Sequence, residues 1–138
     1  MNEEQTAQFK VLVKEGFDWW ISKATPEAKT AADALLARYT SDQEFAAAEG
    51  AKCATAFSES DADGNGLLNL AEYEVFISKM EENDRAQGTY VEPCPGINEK
   101  MFNFFVGLFG NPEGINLEQF FQAMGSWMAV WGELKAAA

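Results

Sequence analysis

Twelve consecutive residues, Asp61-Ala62-Asp63-Gly64-Asn65-Gly66-Leu67-Leu68-Asn69-Leu70-Ala71-Glu72, place oxygen-bearing side chains at alternate positions around a glycine and end on a glutamate. A hard cation such as Ca²⁺ takes about seven oxygens at roughly 2.3–2.6 Å, so a short loop that binds one must fold its own donors inward. Asp61, Asp63 and Asn65, at the first, third and fifth positions, offer side-chain oxygens. Leu67, at the seventh, needs only its backbone carbonyl, and Asn69, at the ninth, binds directly or holds a coordinating water. Glu72, at the twelfth, brings two carboxylate oxygens from the first turn of a following helix. Gly66 stands where the chain turns sharply and a Cβ is penalised. These residues are the expected metal ligands, and calcium is the expected ion.

Asp63-Gly64 and Asn65-Gly66 are also ordinary turn dipeptides, so the flanks decide between a solvated turn and a metal loop. Cys53, Ala56 and Phe57 share one helical face before the loop. After it, Leu70, Tyr73, Phe76, Ile77 and Met80 recur at three- and four-residue spacing. Asn69 and Glu72 have the spacing of an N-cap and its N3 partner, which starts the exiting helix inside the loop. This helix–loop–helix resembles the EF-hand superfamily, the group that contains calmodulin and the sarcoplasmic calcium-binding proteins. The resemblance implies an all-α fold in which hands work in pairs, with Leu68 at the eighth position facing a partner loop.

A second such unit is expected over residues 98–131. Gly66-Leu67-Leu68-Asn69-Leu70-Ala71-Glu72-Tyr73 aligns with Gly114-Ile115-Asn116-Leu117-Glu118-Gln119-Phe120 once one residue is deleted after the glycine. Met101, Phe104, Phe105 and Leu108 form the apolar stripe of its entering helix, and Leu117, Phe120, Met124, Trp127 and Trp131 that of its exiting helix. The metal chemistry is not repeated. Phe109 falls at the first-ligand position, Gln119 replaces the glutamate, and Pro112 and the deletion disturb the spacing, leaving Asn111 and Glu113 without partners. Loop 109–119 is therefore expected to be degenerate and structural, with Ile115 pairing to Leu68.

Two helices are expected before the pair. Asn2 to about Ser22 gathers Phe9, Leu12, Val13, Phe17, Trp20 and Ile21 near one face, with Trp19 beside it. Thr25-Pro26-Glu27 opens an alanine-rich helix with Ala28, Ala31, Ala32, Leu35 and Leu36 as its apolar face. Ser41-Asp42-Gln43-Glu44 reads as a capping box. The organisation is thus an N-terminal extension, residues 1–40, and a hand pair, residues 41–138. The extension either packs as ordinary core or lies as a lid in the apolar groove of the pair. Glu82 to Gly96 reads as a long connection in which Tyr90 and Val91 are the candidates for docking, and an exposed Trp19 would mark a partner surface.

With 138 residues, 47% of them hydrophobic, the chain can bury a core of its own. A formal net charge of −12 argues against nucleic acid and anionic membranes and favours cations or basic peptides. No apolar run reaches membrane-spanning length, and signals for secretion or lipidation are not evident, so a cytoplasmic protein without membrane insertion is expected. Cys53 and Cys94 then stay reduced. The chain contains no histidine, which removes the commonest general base, and no phosphate-cradling glycine loop, so an enzyme is not expected. The expected function is a calcium sensor or buffer, with the ion and a basic amphipathic target helix as partners. The alternative is a light-chain-like module that grips a partner helix independently of calcium.

Overall fold

Five of the six helix starts in this chain are set by short polar side chains that satisfy a free amide of the first turn; the helix that begins at Ile97 follows Gly96 and has no side-chain cap. The computed structural model describes all 138 residues. Asn2 caps α1 (Glu3–Lys23): its Oδ1 accepts the Gln5 amide at 2.8 Å, and the Gln5 side chain accepts the Asn2 amide at 3.0 Å. Thr25 caps α2 (Pro26–Ser41), with proline in the first turn as the sequence predicts. The cap of α3 (Gln43–Ser60) differs from expectation. Ser41 is the last residue of α2, and its hydroxyl donates to the Ala37 carbonyl at 2.9 Å. Asp42 accepts the Phe45 amide at 3.0 Å instead. A carboxylate is favoured at a helix N-terminus by the macrodipole, and that amide, together with Arg38, holds the Asp42 carboxyl below its ordinary range.

The remaining helices are α4 (Leu70–Gln87), α5 (Ile97–Phe109) and α6 (Leu117–Ala137), so the chain is all-α. No helix is long and apolar enough to cross a membrane. α3 packs on α4, α4 on α5, and α2 on α3, while α1 lies along both α5 and α6. Phe76 joins the halves of this arrangement. It is fully buried and meets Phe57 of α3 and Phe120 of α6 edge-on, at ring separations of 5.7 and 4.8 Å.

α1 contributes Phe9, Val13 and Phe17 to the same core as the second helical pair. Phe9 stacks on Phe104 at 5.6 Å, and Phe17 meets Trp131 edge-on at 4.9 Å. Ile21, expected on this face, is exposed near the end of the helix. On α5 the buried residues are Phe102 and Phe105, whereas Met101, Phe104 and Leu108 are half-buried. The stripe is displaced because α5 lies between α4 and α1 and divides its apolar surface between two neighbours. α6 likewise buries Ala123 and Val130 beside the expected Phe120 and Trp131.

The expected connection after residue 82 is shorter than its composition suggests, because α4 continues to Gln87 and stops at Gly88, whose φ of +77° suits the αL cap. The remaining strap is tied down at two places. Arg85 lies over the Tyr90 ring at 4.1 Å, and the Trp19 indole donates to the Glu92 carbonyl at 2.7 Å. Trp19 is therefore half-buried against the chain's own strap, not an open partner surface. Both cysteines are free. Burial pushes the Cys53 thiol up to about 11.

Candidate metal centre

α3 ends at Ser60, a buried residue whose hydroxyl donates to the Ala56 carbonyl at 2.8 Å, and Asp61 closes the helix. From there the chain reverses through Gly64 and Gly66, with φ of +68° and +80°, a region that favours glycine. Within the turn the side chains fold back on the backbone. Asp61 Oδ2 accepts the Gly66 amide at 2.8 Å, Asp63 Oδ1 the Asn65 amide at 3.3 Å, and Asn65 Oδ1 the Leu67 amide at 2.9 Å. The Asp63 and Asn65 bonds, each to the amide two residues on, are the Asx-turn chemistry of aspartate and asparagine, while the Asp61 bond spans the turn.

Glu72 closes the loop from the other end. Its Oε1 accepts the Asn69 amide at 3.0 Å and its Oε2 reaches across ten residues to the Ala62 amide at 2.8 Å. Asn69 Oδ1 in turn accepts the Glu72 amide at 2.9 Å, completing the capping box. The Ala62 amide could not be singled out from sequence, since every non-proline residue carries one. Leu67 is half-buried, and Asn65 and Asn69 are exposed.

One oxygen from each of Asp61, Asp63 and Glu72 falls within 4.8 Å of the other two. Oxygens around one Ca²⁺ at roughly 2.3–2.6 Å stand at most about 5 Å apart, so the three fit a single ion. Asp61 Oδ1 is the one buried side-chain polar atom of the chain without a hydrogen-bond partner. No lysine or arginine pairs with any of the three carboxylates; the chain's ion pairs all lie elsewhere. An all-oxygen anionic donor set suits a hard cation, and each carboxylate oxygen bonded to an amide retains a further lone pair. The residues present therefore fit Ca²⁺. Asn69 is committed through Oδ1 to the cap, which favours the water-mediated role at its position.

The second loop has the same cap, but its two carboxylates, Glu113 and Glu118, do not converge. Asn116 Oδ1 accepts the Gln119 amide at 2.8 Å, and Gln119 Oε1 accepts the Asn116 amide at 3.0 Å. Phe109 is the last residue of α5 and packs against the core. Asn111 Oδ1 accepts the Glu113 amide at 3.0 Å, and no carboxylates converge there. The loops join through the expected antiparallel bridge. The Leu68 amide donates to the Ile115 carbonyl at 2.8 Å and the Ile115 amide to the Leu68 carbonyl at 3.2 Å, with both side chains fully buried. No protein-family model matches the chain, and neither a curated protein nor a solved structure matches it.

Proposed function

We propose that this is an EF-hand-like calcium-binding protein with one competent loop, 61–72, and one silent partner loop, 109–119, working in the cytoplasm as a calcium sensor or buffer. The observation that carries this reading is the buried, unpartnered Oδ1 of Asp61, a residue whose carboxylate converges with those of Asp63 and Glu72. Leaving a buried carboxylate oxygen unsatisfied costs stability, and a cation there removes that cost. Asp61, Asp63, Asn65, the Leu67 carbonyl, Asn69 through water, and Glu72 would hold the ion. Bound there, calcium supplies charge neutralisation and no chemistry of bond-making.

Glu72 is the residue that links the site to the rest of the chain. It stands in the first turn of α4, and any change in its bonds to Ala62 and Asn69 moves that turn relative to α3. Phe76, one turn further on, carries such a movement to Phe120 of α6. A light-chain-like module would need an open apolar groove on α5 and α6, and α1 lies along both of these helices. A basic target helix would have to displace α1 or dock on another face, which favours calcium binding over constitutive helix capture.

Calorimetric titration of Ca²⁺ into metal-free protein, at physiological salt with about 1 mM Mg²⁺, tests the proposal, since sensor sites bind at ~10⁻⁷–10⁻⁵ M. One site per chain in that range is the expected result, and absence of heat and of any spectroscopic change would overturn it. Fluorescence of an apolar dye with and without the ion then separates sensor from buffer: a sensor exposes apolar surface on binding.

A further inference from the structure

Gly114 has the least room of any glycine in the chain. Its φ is +145°, and a Cβ built there would overlap the carbonyl oxygen of Leu68, come within 2.6 Å of the carbonyl carbon and lie 3.2 Å from the Asn69 nitrogen. The obstructing atoms are all backbone, which cannot swing aside as the end of a flexible side chain does. The Leu68 carbonyl among them is also a point at which loop 61–72 meets its partner. The Leu68 carbonyl accepts the Ile115 amide, and the Leu68–Asn69 peptide lies between Leu67, the expected carbonyl donor, and the Asn69–Glu72 cap.

The one-residue deletion in the second loop places Gly114 immediately before Ile115, so the bridge to Leu68 forms only if the glycine backbone itself lies against the first loop. We propose that Gly114, in the loop that binds no metal, is a positioning residue for the metal centre: its missing side chain fixes where the Leu67–Asn69 backbone sits, and so sets calcium affinity. This inference rests on calcium binding by loop 61–72. By linkage the coupling is reciprocal: if the inter-loop register raises affinity, occupancy of loop 61–72 stabilises the register.

The comparison needed is between Gly114→Ala and Gly110→Ala. Gly110 lies in the same loop with a positive φ of +71°, and a Cβ there meets nothing, so it supplies a milder positive-φ strain without the collision. Calorimetric Ca²⁺ titration of the full chain is expected to show affinity falling at least tenfold in Gly114→Ala and changing less than threefold in Gly110→Ala. Circular dichroism of each variant checks that helix content is kept. A second measurement needs no variant: Ca²⁺ is expected to slow hydrogen exchange at the Ile115 amide of the wild-type protein at least tenfold. Wild-type binding with equal affinity in both variants, or with Ile115 exchange unchanged by Ca²⁺, overturns the role of Gly114 and leaves the metal centre standing. Failure of the wild-type protein to bind Ca²⁺ overturns both.

Discussion

Loop 61–72 and loop 109–119 are closed by the same Asn-x-x-Glu/Gln box, with amide-to-oxygen distances of 2.9 and 3.0 Å in the first and 2.8 and 3.0 Å in the second. What differs is the cargo of the two units. The buried polar side chains of the chain, Glu49, Ser60 and Glu72, all lie in α3, α4 or the loop between them. The α5–α6 unit buries aromatic and aliphatic groups and takes α1 against its face. Backbone geometry of a paired loop thus survives without charge, because the cap and the Leu68–Ile115 bridge use neutral amides. The convergence of carboxylates does not, because it depends on the two loop ends, where Phe109 and Gln119 stand in place of Asp61 and Glu72.

The residue that most directly joins the polar and apolar units is Phe76. Truncation to alanine removes a fully buried ring that touches Phe57, Tyr73 and Phe120, and is expected to cost about 3–5 kcal/mol. Urea denaturation followed by circular dichroism and by tryptophan fluorescence checks this. The tryptophans all lie in α1 and α6, so coincident midpoints in the variant would show that the two units still unfold as one. Separated midpoints would break the comparison into two independent halves.

Charge burial in the first unit extends beyond the loop. Burial first, and then Glu81 and Glu49, push the Asp84 carboxyl up to about 6. Glu49 goes the other way: burial opposes its ionised form, but hydrogen bonds from Lys52 and Asn83 outweigh that and hold it low. A carboxyl whose folded value is raised weakens the fold once ionised, so the Asp84 cost grows as pH rises from about 4 to about 6 and is complete above that. Asp84→Asn is expected to stabilise the protein by about 2–3 kcal/mol near pH 7.5 and by little near pH 4. Thermal melts of variant and wild type at the two pH values measure it. A gain independent of pH would mean that Asp84 acts through packing.

Neither the burial of Glu49 nor the partial burial of Asp84 was legible, since single charged residues in α3 and α4 look like the solvated ones around them. The convergence of Asp61, Asp63 and Glu72 was legible because their spacing around Gly66 closes one loop, and the Leu68–Ile115 bridge followed from the EF-hand resemblance once the two glycines were aligned. The existence of all six helices followed from periodicity and caps. Periodicity says that a face is covered but not by what, so the docking of α1 on α5 and α6 and the shift toward Phe102 needed tertiary structure. The Ser41 cap failed for a local reason: Asp42 competes for the same amides with a stronger acceptor. Trp19 was singled out, but its partner is a backbone carbonyl 73 residues away, which no side-chain pattern encodes.

Glu72→Gln makes the first loop resemble the second at its closing position. The amide keeps the bond to Asn69, as Gln119 does to Asn116, but offers one neutral oxygen in place of two anionic ones. Calcium affinity is expected to fall at least tenfold, about 1.4 kcal/mol or more, by the same titration. Unchanged affinity would place the ion in a different loop.

The converse substitution, Gln119→Glu, supplies the second loop with the carboxylate it lacks and is expected to change almost nothing. Phe109 still ends α5 with its ring against the core, so no oxygen stands at the opening position. Asn111 is turned inward on the Glu113 amide, and the missing residue after Gly114 removes a backbone carbonyl from the series. One added carboxylate joins no converging set, since Glu113 and Glu118 do not gather with it around a common point, and binding stoichiometry should stay at one Ca²⁺ per chain. A second binding event in that variant would show that the closing glutamate alone separates the two loops, and that the opening position contributes far less than the buried, unpartnered Asp61 oxygen implies.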